Sequence, residues 1–266
     1  MDTVLGVAPL VLVALLAAAM LAGWVDAVSG GGGLVQLPAL LVALPGAEPA
    51  TVLGTNKASS IVGTTAAAIT YRRAAVTDVG TAVRMAAAAF VGSACGAALA
   101  TRVPGSLFRP LALVLLVVVG LWTLLRPNLG ETQELRWHGT ESHARHGAAA
   151  LALGGGIGLY DGVFGPGTGT FLVFGLVSLL GYSFLNASAI AKVVNVSTNL
   201  AALIVFGLGG HVLWALGLAM GAANLVGGVV GARTAVRRGS GFVRIVFLVV
   251  VAVLLVKLGS DVLRGA

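Results

Sequence analysis

The stretch GWVDAVSGGGG, residues 23–33, returns as GLYDGVFGPGT at residues 158–168, with Asp26 and Asp161 in register. The offset is 135 residues (161 − 26), and it holds without a gap well beyond the motif. Lys57 meets Lys192, Gly92 and Gly96 meet Gly227 and Gly231, Arg102 meets Arg237, and Arg109 meets Arg244. Self-similarity at a fixed period reveals a duplicated architecture. The chain therefore reads as two homologous halves, residues 1–125 and 147–266, joined by the polar connector RPNLGETQELRWHGTESHARH, residues 126–146.

With 58% apolar residues, 9% charged residues and a mean hydropathy of +1.02, the chain carries more apolar surface than a water-soluble globule of 266 residues can bury. Its solvent is a bilayer. Apolar runs at about 4–25, 51–71, 81–101, 107–125, 147–163, 186–207, 211–232 and 242–263 mostly have the length that spans a hydrocarbon core. Two shorter runs, at about 30–45 and 165–182, are broken by Gly and Pro. The expected fold is an all-α polytopic membrane protein, each half having four long spans and one short broken segment. A barrel is excluded because its strands alternate apolar and polar residues, and these runs do not.

The opening MDTVLGVAPLVLVALLAAAM has an acid and no basic leader, so it is expected to be the first span and not a cleaved signal. The net charge of +7 reflects arginines in cytoplasmic loops and does not imply nucleic acid. The single cysteine, Cys95, can form no internal disulfide and sits in a small-residue run.

Duplication of this kind is a known construction for secondary transporters, with the substrate site where the halves meet. If the short segments only re-enter, the halves are parallel, with six arginines inside (102, 109, 233, 237, 238, 244) and seven outside. If they cross, the halves are inverted. Ten arginines (72, 73, 84, 126, 136, 145, 233, 237, 238, 244) are then inside and three outside, with both termini outside beside Asp2 and Asp261. The positive-inside rule favours inversion, although a crossing of about 15 residues is short for the membrane and implies a discontinuous helix or local thinning.

Within the run at 51–71, Lys57, Ser60 and Thr64 share one helical face, and Asn56 and Ser59 broaden it. The corresponding residues at +135 are Lys192, Asn195 and Asn199, broadened by Ser197 and Thr198. A lysine in a span costs on the order of 3 kcal/mol unless it pairs, snorkels or lines a wet cavity. Snorkelling is one reading, but it explains neither the recurrence nor the polar neighbours. The glycine runs SGGGGLVQLP (29–38) and VFGPGTGTFL (163–172) are expected to unwind the helix. Exposed amides at Gly31, Gly32 and Gly167 could then hold an anion; a tight turn between antiparallel helices is the competing account. Asp26 and Asp161 are the acids that stand at predicted spans just before the glycine runs. Each could carry a coupling proton, or could cap the glycine loop or pair with a lysine.

GSACG (92–96) and GGVVG (227–231) have the small-xxx-small spacing of helix-packing faces. Gln36, Asn186 and Asn224 could belong to a site or could satisfy neighbouring backbone. His138, His143 and His146 lie in the solvated connector, and no metal, cofactor or enzymatic chemistry is expected.

The G-x-x-D-x-x-x-G run with its glycine-rich loop, the N-K-A-S motif about 30 residues later and its counterpart A-K-V-V-N-V-S-T-N resemble the TauE/SafE family of sulfite-exporter-like permeases. The likeness extends from about residue 8 to 263. It implies a multi-pass plasma (inner) membrane permease for small sulfur-containing anions such as sulfite or organosulfonates, linked to the proton gradient. Carried over by position, Lys57 with Asn56 and Ser59 is the first motif, and Lys192 with Asn195 and Asn199 the second. The second half has Ala191 where the first has Asn56, which leaves open whether both lysines contact substrate. Expected partners are a small anionic substrate, the lipid bilayer and, as an option, a second copy of the chain. The alternative function is a passive channel, or a carrier for another small anion or a cation.

Overall fold

The computed structural model describes residues 5–73, 78–100, 135 and 140–263. The expected span at 107–125, most of the 126–146 connector, Asp2, Arg102, Arg109, Arg126, Arg136, His138 and Arg264 lie outside the described residues. Among the described residues every regular element is helical: α1 (Pro9–Ser29), α2 (Gly33–Ala43), α3 (Pro49–Arg72), α4 (Val79–Ala100), α5 (Thr140–Val163), α6 (Thr168–Gly175), α7 (Phe184–Leu208) and α8 (Trp214–Leu263). A π-helical turn, Leu176–Leu180, continues α6. α2, α3 and α4 begin at 33, 49 and 79; α6, α7 and α8 begin at 168, 184 and 214, each 135 residues later.

Two boundaries differ from the apolar runs. α5 begins at Thr140, inside the polar connector, because a helix can extend past the bilayer once its side chains are solvated. The runs at 211–232 and 242–263 merge into one element, interrupted at Gly239, whose φ of 75° and ψ of −172° break the helix after the Arg237–Arg238 pair. Pro9 and Pro49 each occupy a first helical turn, where the missing N–H costs nothing. Pro38, inside α2, removes a hydrogen bond from an already short helix.

Burial is arranged as a bilayer demands. The large exposed apolar side chains, among them Leu10, Val42, Val91, Leu208 and Ile245, face outward from the helices. Lys57, Lys192, Asp161, Gln36, Asn56, Asn195, Asn199 and Asn224 are buried. α1, α4, α7 and α8 are long and apolar enough to cross a membrane. The polar and glycine-rich faces of α3 and α5 are what dilute their hydropathy.

Small residues set the helix contacts. Gly227 lies against the Met20 carbonyl and Gly231 against that of Trp24, while Gly92 and Gly96 lie against α5 at Gly155 and Leu159. The GSACG and GGVVG stretches are thus close-packing faces, since a side chain there would overlap backbone. The order of contacts gives direction. Met20 and Trp24 meet Gly227 and Gly231 in turn, so α1 runs parallel to the first part of α8; Thr55, Ser59 and Gly63 meet Gly217, Gly221 and Gly228, so α3 does too. Since α1 and α3 point the same way, α2 and its flanking loops carry the chain back between them. α3 and α7, which occupy corresponding places in the 135-residue offset, are antiparallel. Gly54 packs on Phe206, and Tyr71 meets Ser188.

A polar cluster at the edge of the apolar core joins α4, α5 and the loop after α6. Asp78 caps α4 through the Thr81 N–H (3.0 Å) and accepts from the Tyr182 hydroxyl (2.7 Å); His146 Nε2 lies 3.2 Å from both Thr81 Oγ1 and the Tyr182 hydroxyl. Burial raises the Asp78 carboxyl, but the Thr81 and Tyr182 hydrogen bonds outweigh it and hold the group below its ordinary value. Burial lowers the His146 imidazole; the Asp78 carboxylate opposes that shift, while His143 and Arg84 reinforce it. At both groups the unfolded chain binds the proton more tightly. The contact is therefore fully present above the ordinary imidazole value of 6.5 and weakens as pH falls, first at His146 and then, in stronger acid, at Asp78. Tyr182→Phe should cost about 1 kcal/mol at neutral pH. It should also flatten the acid limb of a thermal-unfolding profile recorded in detergent across the acid-to-neutral range.

Candidate functional site

Two helix breaks meet at the centre of the site. α1 ends at Gly30 (φ 83°), whose N–H returns to the Asp26 carbonyl at 2.8 Å. The corresponding glycine after α5, Gly165, has a φ of 86°. Both need the left-handed region that an L side chain enters only with strain. Gly30 packs directly on Gly169, and Gly33 lies against Pro166, so the SGGGG and GPGTG loops touch each other. Gly31, Gly32 and Gly167 are buried in this junction, and Asn195 Nδ2 lies beside Gly169.

The lysines cross between the breaks. Lys57 Nζ donates to Asp161 Oδ2 at 2.6 Å, and Lys192 Nζ donates to Asp26 Oδ2 at 2.9 Å and to the Asp26 carbonyl. Lys57 is 2% exposed and Lys192 0%, so both ammonium groups are enclosed by protein and do not extend to solvent as snorkelling requires. Each aspartate is thus paired with a lysine. Each pair ties residues 5–73 to residues 140–263. Bringing either charge into this setting alone costs several kcal/mol, which the opposite charge at hydrogen-bond distance offsets.

The C-terminal end of α1 is satisfied from several directions. Its last four carbonyls accept from side chains of other elements, that of Asp26 in addition to the Gly30 N–H. Asp26 takes the Lys192 ammonium, Ala27 the Tyr71 hydroxyl at 2.9 Å, Val28 the Ser188 hydroxyl at 3.5 Å and Ser29 the Thr170 hydroxyl at 3.1 Å. A cation there also complements the negative end of the helix dipole. Thr64 Oγ1 adds a 3.3 Å bond to Asp26 Oδ2.

Around Lys57 the polar groups are arranged differently. Asn224 Nδ2 donates to Gln36 Oε1 at 2.8 Å, and Gln36 Nε2 donates to the Asn56 carbonyl at 3.4 Å. Asn56 Oδ1 and Ser59 Oγ are buried without a hydrogen-bond partner. Native structures rarely leave such atoms unmatched in an apolar setting.

Of the expected site residues, Asn56, Ser59, Thr64, Asn195 and Asn199 are buried, whereas Ser60 is only half-buried on α3. Tyr71, Ser188 and Thr170 escaped the sequence reading. The signal that could have found them is their character: Tyr71 is one of three tyrosines in an apolar chain, and Ser188 and Thr170 lie within a few residues of the lysine and glycine motifs. Among the described residues no cluster of His, Cys, Asp or Glu could hold a metal ion.

The profile of the family described as sulfite exporter TauE/SafE matches residues 15–258. The chain is 38% identical to the probable membrane transporter protein YfcA of Escherichia coli K12 over 256 residues, 96% of this chain and 92% of that one. It is 36% identical to the probable membrane transporter protein ORF9 of a Sinorhizobium species, covering 93% of this chain and 92% of the relative. A probable membrane transporter protein of Haemophilus influenzae is 32% identical over 240 residues, 90% of this chain and 91% of that protein. No solved structure matches the chain.

Proposed function

The chain belongs to the sulfite exporter TauE/SafE family, and from that membership we propose a proton-linked secondary transporter of small sulfur-containing anions such as sulfite or organosulfonates, placed in the inner membrane. The observation that carries the reading is the pair of crossed, buried Lys–Asp contacts at the junction of the two glycine breaks. An oxyanion entering there takes an ammonium over from its carboxylate partner. The carboxylate, left in a dry site without its counter-charge, takes up a proton. Anion and proton are then bound together, and the buried charge balance is the same before and after. Asn56, Ser59, Ser60, Thr64, Asn195, Asn199 and the amides of Gly31, Gly32 and Gly167 are the proposed neutral donors around Lys57 and Lys192. The proton is carried by whichever of the two candidates, Asp26 and Asp161, yields its ammonium.

We read the two halves as inverted repeats of five crossing segments each. The antiparallel course of α3 and α7 supports this, as does the return of the chain through α2 between the parallel α1 and α3. Alternating exposure then follows from rocking one half against the other around the fixed site.

The test is flux in proteoliposomes of sulfite, sulfate, thiosulfate, sulfoacetate and small carboxylates, with and without a pH gradient. Saturable movement of sulfite or an organosulfonate that responds to the gradient is the expected result. Flux that never saturates points to a channel, and movement of carboxylates alone overturns the substrate class.

A further inference from the structure

We propose that the two lysine–aspartate pairs are unequal: Lys57, with Ser59 and Asn56, holds the anion, and Lys192–Asp26 is a permanent clasp on the end of α1. The inference rests on the transport reading above and says which side of the pseudo-symmetric site does the binding. It starts from what the 135-residue offset fails to preserve. The three side chains that close the end of α1 beside Lys192 are Tyr71, Ser188 and Thr170. The residues 135 positions from these are Phe206, Leu53 and Val35, none of which has a side-chain donor. Conversely, the thread Asn224–Gln36–Asn56 beside Lys57 corresponds to Ala89, Phe171 and Ala191, and Ser59 corresponds to Val194.

Hydrogen-bonding capacity follows the same division. Lys192 gives one bond to the Asp26 carboxylate, which takes a second from Thr64, and another to the Asp26 carbonyl. Displacing that carboxylate breaks two contacts and leaves the ammonium still held by the carbonyl. Among the described residues Lys57 Nζ has one acceptor, Asp161 Oδ2, although an ammonium carries three donors. Two buried polar atoms without a partner, Asn56 Oδ1 and Ser59 Oγ, lie within one turn of Lys57 on α3. A lysine with spare donors, a hydroxyl and an amide that can turn its N–H₂ inward form a small oxyanion site. Gln36 and Asn224 hold the Asn56 turn of α3 in position for it. The side-chain exposures agree: Asp26 is 16% exposed and Asp161 4%. A pair that stays charged is less costly where water reaches it, and a carboxylate that must give up its ammonium and take a proton belongs in the drier place.

The test compares corresponding positions, on a Cys95→Ala background. Ser59→Cys and Val194→Cys proteins in proteoliposomes are treated with the anionic thiol reagent 2-sulfonatoethyl methanethiosulfonate. A thiol within one turn of Lys57, in the proposed anion site, should react about tenfold faster or more than its counterpart. Sulfite, thiosulfate or sulfoacetate should slow the reaction at Ser59→Cys. Asn56→Cys against Ala191→Cys repeats the comparison nearby if Ser59→Cys fails to fold. Equal rates at the corresponding positions, or faster reaction at Val194→Cys or Ala191→Cys, overturn the proposal, as does a fast reaction that no small anion slows. Protection by carboxylates or halides but not by any sulfur anion leaves the location standing and overturns the substrate class instead.

Discussion

Lys192→Met is expected to cost about 3–5 kcal/mol and to leave little folded protein in detergent, because a typical domain has only about 5–15 kcal/mol to lose. The substitution removes the counter-charge of Asp26 among α1, α3 and α7 and leaves only the Thr64 hydroxyl bonded to its carboxylate. It also removes the cation from the carbonyl end of α1. The charge, and not the volume, is the larger loss, since Met fills much of the space of a lysine stem. A double variant, Lys192→Met with Asp26→Leu, removes both charges together and should recover most of the stability. Thermal unfolding followed by tryptophan fluorescence and by size-exclusion profile measures both. An unchanged midpoint in the single variant would remove the case for Lys192 as a structural clasp.

Gly30→Ala should be comparably severe for a different reason. A Cβ at Gly30 overlaps the backbone of Gly169 and Thr170, and backbone cannot move aside as the tip of a side chain can. The φ of 83° adds strain for any L residue. The two effects together amount to about 2–5 kcal/mol. They act where the two breaks meet, so anion flux should disappear even if some folded protein survives. Gly156→Ala is the matched control: a Cβ there meets nothing within 4 Å, and in mid-helix it should be neutral or slightly stabilising. Wild-type flux and midpoint in Gly30→Ala would show that the breaks are not packed against each other in the membrane.

Much of the architecture was legible before any coordinates. Helix-length apolar runs and the recurrence of Asp26, Gly30 and Lys57 as Asp161, Gly165 and Lys192 gave the membrane setting and marked the residues that later converge. Burial was legible too, because an isolated charge has so few acceptable environments in a bilayer. The partners were not. Lys57 meets a carboxylate 104 positions away and Lys192 one 166 positions away, and helical periodicity carries no information over such distances. Nor could periodicity reveal that Tyr71, Ser188 and Thr170 converge on one helix end. They come from three elements and share no spacing.

The sequence by itself determined the solvent, the helical class, the 135-residue recurrence and the identity of the charged residues that must be buried. These follow from composition and from local rules that act within a few turns of helix. The tertiary structure alone decided that the pairs cross between corresponding parts of the chain, that α3 and α7 run in opposite directions and that Gly30 lies on Gly169. It also decided that the surroundings of Lys57 and Lys192 differ, although their sequence motifs look alike. The physical reason is that in a low-dielectric interior a charge takes its properties from whatever stands within a few ångströms, and only folding sets those neighbours.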